Sequence, residues 1–122
     1  MDAKGFNASS SCNNKLVGAK SFTINQPNPH YNDPSPRDFQ GHGSHVASTA
    51  AGAEVPWADL YGLSGGRASG VARNARIAMY KACLPGGCPG SAVIAAIDAA
   101  VSDGVDLISI SIGGFPEIFF YN

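Results

Sequence analysis

The stretch from Arg37 to Gly52, RDFQGHGSHVASTAAG, holds the residues best suited to chemistry. It sets His42 between Gly41 and Gly43, with His45 three residues on and a run of small residues behind it. An imidazole titrates near neutral pH, so a histidine presented with its ring free at a helix start suits a general base or acid. Two other readings stand beside that one. An H-x-x-H pair can chelate zinc, although His30 is the only other histidine and no acidic residue sits at a recognisable ligand spacing. The pair can also be structural, two rings hydrogen-bonded to neighbouring loops. The residues alone leave all three open.

The elements around this stretch decide how a histidine could be used. Residues 43–52 read as a helix whose small side chains Ala47, Ser48, Ala50 and Ala51 let another element come close. Lys15–Phe22 can form a short strand, and the four prolines between Gln26 and Pro36 make that stretch loop. Glu54–Gly70 has the chemistry of turns, with Gly62, Gly65, Gly66 and Gly70. Ala75–Lys81 is compatible with a strand. Ser91 is placed to cap a helix from Ala92 to about Asp103, with Ile94, Ile97, Ala100 and Val101 on one face. Gly104 stands where a left-handed C-terminal cap is wanted.

Val105–Ile112 is then a β-branched-rich strand, stopped by Gly113-Gly114. Strand, helix and strand at this spacing predict a βαβ unit with parallel strands and a right-handed crossover, hence an α/β fold with helices layered on a parallel sheet. Ligands of open α/β sheets bind beyond the carboxyl ends of the strands, which puts Ser111, Ile112, Gly113 and Gly114 at the functional edge. Two glycines there would let an extended peptide lie alongside. They would equally serve as a plain strand terminator.

Composition narrows the classes. Charged residues make up 14% of the 122, against about 25% for an ordinary soluble domain. So little charge, with small residues in clusters, describes the interior of a larger body and its loops. The net charge of −1 gives no footprint for nucleic acid or an anionic membrane surface, and no apolar run approaches the ~20 residues of a membrane span. Met1–Phe6 lacks the apolar segment of a secretory signal, so a signal for export is expected outside this sequence.

Three cysteines leave one over. Cys83 and Cys88 bracket the turn-rich Leu84-Pro85-Gly86-Gly87 and can bridge, which leaves Cys12 without a partner. Asn7-Ala8-Ser9 is a glycosylation sequon. With eight Asn and fifteen Ser plus Thr, one such triplet is expected by chance, so the motif alone decides nothing.

Taken in order, these motifs resemble one family. Asp38-x-x-Gly41-His42-Gly43-Ser44-His45 looks like the histidine block of the subtilisin-like serine peptidases, which usually carries Thr where this chain has Ser44. Ala47–Gly52 and the preceding Cys12–Phe22 are similar to the plant, cucumisin-like branch, as are Gly66–Cys83 and Ala96–Gly114. Val46 and Arg73 depart mildly from the usual plant pattern.

The resemblance implies a three-layer α/β domain of the subtilisin type, of which residues 1–122 would form an incomplete part. It implies a secreted serine endopeptidase that uses no cofactor and acts on protein or peptide substrates. His42 would be the triad base, His45 the second, non-catalytic histidine, and Ser111–Gly114 the segment that walls the specificity pocket and pairs with substrate. The family order is Asp, His, Asn, Ser. The Asp is expected before the Cys12 region, and the Asn and Ser beyond Gly114, on a remainder of the domain that would be this chain's partner. The alternative is a catalytically dead remnant that acts only by binding peptide or protein, or that has no function.

A triad base without nucleophile, orienting acid or oxyanion donors has almost nothing to catalyse with, because those groups act as a unit. The purified 122-residue polypeptide is therefore expected to leave a chromogenic peptide uncleaved. Cleavage that disappears in His42→Ala would overturn this.

Overall fold

The structure, a computed structural model, describes residues 7–23 and 34–113. His30, most of the proline-rich stretch, Gly114 and the residues after it lie outside the described part. In chain order the elements are α1 (Ala8–Ser11), β1 (Leu16–Ser21), α2 (His42–Ala51), β2 (Val55–Leu60), β3 (Leu63–Ala68), β4 (Ile77–Lys81) and α3 (Gly90–Ser102).

The two strands expected at Lys15–Phe22 and Ala75–Lys81 form and pair with each other, parallel and in register from Leu16↔Ile77 to Ser21↔Lys81, with one irregularity at Val17. Beyond the ladder, Ile77 N–H donates to the Lys15 carbonyl at 2.7 Å and Phe22 N–H to the Lys81 carbonyl at 2.8 Å. The Lys15 ammonium fixes the approach to β4, donating to the carbonyls of Arg73 and Ala75 at 2.6 Å each. A parallel pair needs a long crossover, and here the connection from β1 to β4 contains α2.

Helix α3 packs on β4 through a core of Ala82, Ala92 and Ala96, against which Phe22, Tyr80 and Val93 close. Its C-terminus is pinned from the sheet: Lys20 and Tyr80 both donate to the Asp103 carboxylate, at 2.6–2.9 Å and 2.8 Å. Gly104 takes the expected left-handed conformation (φ +75°), and Val105 N–H returns to the Ala100 carbonyl. The sulfurs of Cys83 and Cys88 are bonded across the turn between β4 and α3, and Cys12 is free.

Four expectations need correction. Helix α3 starts at Gly90 behind Pro89, with Ser91 inside its first turn and no side-chain cap. Its buried stripe is Ala92, Ala96 and Ala100, while Ile94 and Val101 are exposed. Alanines at i, i+4 and i+8 bring the helix closer to the sheet than the larger residues would allow. Glu54–Gly70 is not merely turns: β2 and β3 form an antiparallel hairpin, closed between Leu60 and Leu63 by Tyr61-Gly62, both left-handed. Nearly every residue of that hairpin is exposed, so it carries no period-two burial pattern to read.

The fourth correction concerns Val105–Ile112. Among the described residues this segment joins no ladder, and Leu107, Ile108, Ile110 and Ile112 stand exposed. The parallel partner of β4 is β1. Strand preference in β-branched residues reflects packing against neighbours more than a backbone tendency, and among the described residues no strand lies beside this segment.

The close approach expected at α2 does occur. Backbone N–H groups of Gly70, Val71 and Ala72 donate to the carbonyls of Gly52, Thr49 and Ala50, at 3.0, 3.1 and 2.9 Å. A Cβ on Gly70 would sit 2.3 Å from the Gly52 nitrogen and 2.6 Å from the Ser48 oxygen. Gly70→Ala is therefore expected to cost about 1–3 kcal/mol through forced backbone displacement. Gly66→Ala, with open space around it, should change little. Urea midpoints of the two variants against the parent check the difference, and equal midpoints would contradict the packing described.

Candidate active site

The histidine-bearing helix begins at His42 itself. Gly41 precedes it with φ +97°, a left-handed turn that any other residue would adopt under strain. The sharp entry exposes His42, whose ring hydrogen-bonds to no other described residue; only its backbone N–H is held, by the Gln40 side-chain oxygen at 3.0 Å.

Amide groups at the entry to the helix converge on one carboxylate. Asp38 Oδ1 accepts from the N–H groups of Gln40 and Gly41 at 3.0 and 2.8 Å. Its Oδ2 accepts from the Ser44 N–H and the Ser44 hydroxyl, both at 2.8 Å. A helix N-terminus has unpaired donors and a partial positive charge, and an anion answers both. The N–H groups of Gly41 and Ser44 first, then the Ser44 hydroxyl, hold the Asp38 carboxyl well below the usual carboxylate range. Ser44 supplies the same hydroxyl that Thr would, so that departure from the family pattern is chemically mild.

A second anchor comes from the sheet. Lys81, on β4, donates through its ammonium to the carbonyls of Ser35 and Arg37 at 3.1 and 2.8 Å. The ammonium also lies over the Phe39 ring, 5.0 Å from its centre. Tyr80 and Ala82 pack toward α3, so alternation along the strand sends Lys81 to the opposite face, where the loop before His42 passes. The sequence marked Gly70 only as a turn residue and gave no separate role to Asp38 or Lys81. An acid just upstream of a helix start was a readable signal for Asp38, but the Lys81 and Gly70 contacts bridge distant parts of the chain and leave no local trace.

His45, one turn into α2, lies elsewhere. It lines an open groove of about 320 Å³ with Val46, Thr49, Ala50, Val71, Ser109 and Ser111. The groove thus brings α2 beside the segment that the sequence marks as a binding edge. Of that edge, Ser111 lines the groove, Ile112 and Gly113 are exposed next to it, and Gly114 lies outside the described residues. Among the described residues no three metal-ligating side chains come together.

Helix α2 thus displays one histidine at its head and, one turn on, shares a groove with Ser109 and Ser111 of the β-branched segment. The sequence profile of the subtilase family matches residues 5–117, and the chain belongs to that family. It is 50% identical over 113 residues to a CO(2)-response secreted protease of Arabidopsis thaliana, an overlap of 93% of this chain and 14% of that protein. The subtilisin-like proteases SBT3.9 and SBT5.1 of the same plant are 47% and 49% identical over 124 and 109 residues, covering 93% and 87% of this chain. The chain spans only 14–16% of the length of these relatives.

The Asp38 cap gives a prediction with a definite sign. Because folding lowers its pKa, the cap contributes stability above the unfolded value of 3.8 and loses it as pH falls toward the lower folded value. Asp38→Ala is expected to cost about 1 kcal/mol at neutral pH, as loss of a helix cap does. The variant's midpoint should also depend less on pH than the parent's below about pH 5. Parallel curves for the two proteins in that range would exclude the cap as a source of stability.

Proposed function

We propose that residues 1–122 are part of the catalytic domain of a secreted, subtilisin-like serine endopeptidase, with His42 as its general base and acid. The observation that carries this is the presentation of His42: first residue of α2, exposed, its ring bonded to no other described residue, with the turn beneath it held by Asp38 and Gln40. In the reaction, His42 accepts the proton of a serine hydroxyl as that oxygen attacks the substrate carbonyl. It then returns the proton to the departing amine. The serine, the acid that orients the imidazole and the side-chain oxyanion donor belong to the remainder of the domain.

Ser111, Ile112, Gly113 and Gly114 are read as the edge along which an extended protein or peptide substrate pairs its backbone. Exposure of Ser111–Gly113 and the groove that Ser111 shares with α2 support this. Export is supported by the Cys83–Cys88 bond, since disulfides persist in oxidising compartments, and by the secreted relative.

The test uses a polypeptide of the relatives' length that includes this chain. His42→Ala is expected to lower kcat by on the order of 10⁶ with KM little changed, as loss of a triad base does. A loss below tenfold in a folded variant would remove His42 from the mechanism.

A further inference from the structure

The sequon at Asn7 gains meaning from its geometry, and we propose that Asn7 is an N-glycan acceptor in this protein. The triplet Asn7-Ala8-Ser9 is the only N-x-S/T in the chain. Asn7 is exposed. Its Oδ1 accepts two hydrogen bonds, from the Ser9 N–H at 3.0 Å and the Ser9 hydroxyl at 2.7 Å. A backbone N–H can only donate, so the atom facing Ser9 is the amide oxygen and Nδ2 is turned the other way. Among the described residues Nδ2 has no partner. The acceptor hydroxyl of the sequon thus already engages the amide whose nitrogen is to react, and a large polar substituent on that nitrogen would displace no contact.

The site also suits a bulky group because of where the chain goes next. The Asn7 carbonyl accepts from the N–H groups of Ser10 and Ser11 at 3.2 and 2.8 Å, so Asn7 heads α1. The side chain therefore stands at the outer end of that turn, while β1 begins at Leu16. The Cys83–Cys88 bond is a separate observation pointing to the compartment in which such glycans are attached.

The donor is an oligosaccharide linked through pyrophosphate to a lipid. Nδ2 attacks the anomeric carbon of its reducing-end sugar, and the C–N bond forms as the bond from that carbon to the phosphate oxygen breaks. The lipid pyrophosphate leaves with the electron pair, and one amide proton passes to base. The proposal rests on the secretory reading above, so its test supplies entry to the secretory pathway independently.

The chain, extended to the length of its relatives, is expressed in plant cells behind a secretory leader, and the peptide holding residue 7 is analysed by mass spectrometry. The expected result is a hexose-containing glycan on Asn7 that a glycan-releasing amidase removes, leaving Asp at that position. Asn7→Gln and Ser9→Ala should each abolish it, and Ser9→Thr should retain it. An unmodified Asn7 in a product whose leader is removed and whose Cys83–Cys88 bond has formed would overturn the proposal. A native product found only in the cytosol, with the leader-directed chain still glycosylated, would overturn the secretory reading and not the acceptor.

Discussion

Helix α2 is ten residues long and fully buries only one side chain, Ala51. A helix that short is marginal in water on its own, and a buried methyl contributes only about 0.8 kcal/mol. Its stability therefore depends on what meets its two ends. At the head, Asp38 accepts from the Gly41 and Ser44 N–H groups and Gln40 from that of His42; at the tail, three successive N–H groups from residues 70–72 answer the free carbonyls. Each such hydrogen bond contributes about 0.5–1.5 kcal/mol. The exposed histidine is held steady by hydrogen bonds that never touch its ring.

The rest of the architecture serves the same economy of contact. Strand β4 is the hub, packing α3 through alanines on one face and sending Lys81 to the histidine loop on the other. The Lys20–Asp103–Tyr80 cluster locks the far end of α3 to both strands. Hydrogen bonding to Lys20, then to Tyr80, lowers the Asp103 pKa, while burial and the same carboxylate raise that of Tyr80. Five alanines make up the buried apolar core among the described residues, and large residues such as Trp57, Tyr61 and Leu107 remain at least 80% exposed. Surface of that kind on so small a body is surface shaped to meet other protein.

Much of this was legible from residue order. The glycine-flanked histidine, the small-residue helix, the strands at Leu16 and Ile77 and the Gly104 cap all reflect local rules in which one residue type serves one backbone need. What could not be read follows from contacts that sequence does not localise. Alanines outcompeted Ile94 and Val101 for the buried face of α3 because the sheet beneath selects for closeness. The hairpin at Val55–Ala68 escaped notice because its residues face solvent on both sides. The Val105–Ile112 segment had every mark of a strand except a neighbour among the described residues. In the site, His42 stood out and Asp38 did not, since the histidine's role shows in its chemistry and the acid's only in its geometry.

The Lys81 anchor has an evolutionary corollary. Its hydrogen bonds reach main-chain oxygens at Ser35 and Arg37, atoms every amino acid possesses. These bonds set no demand of their own on side-chain type there, while the buried Ser35 hydroxyl adds a separate hold by accepting from the Arg37 N–H at 3.3 Å. The path of the loop leading to the histidine is thus fixed in part by atoms that no substitution removes. Substitution along it would leave those oxygens in place, whatever else it changed.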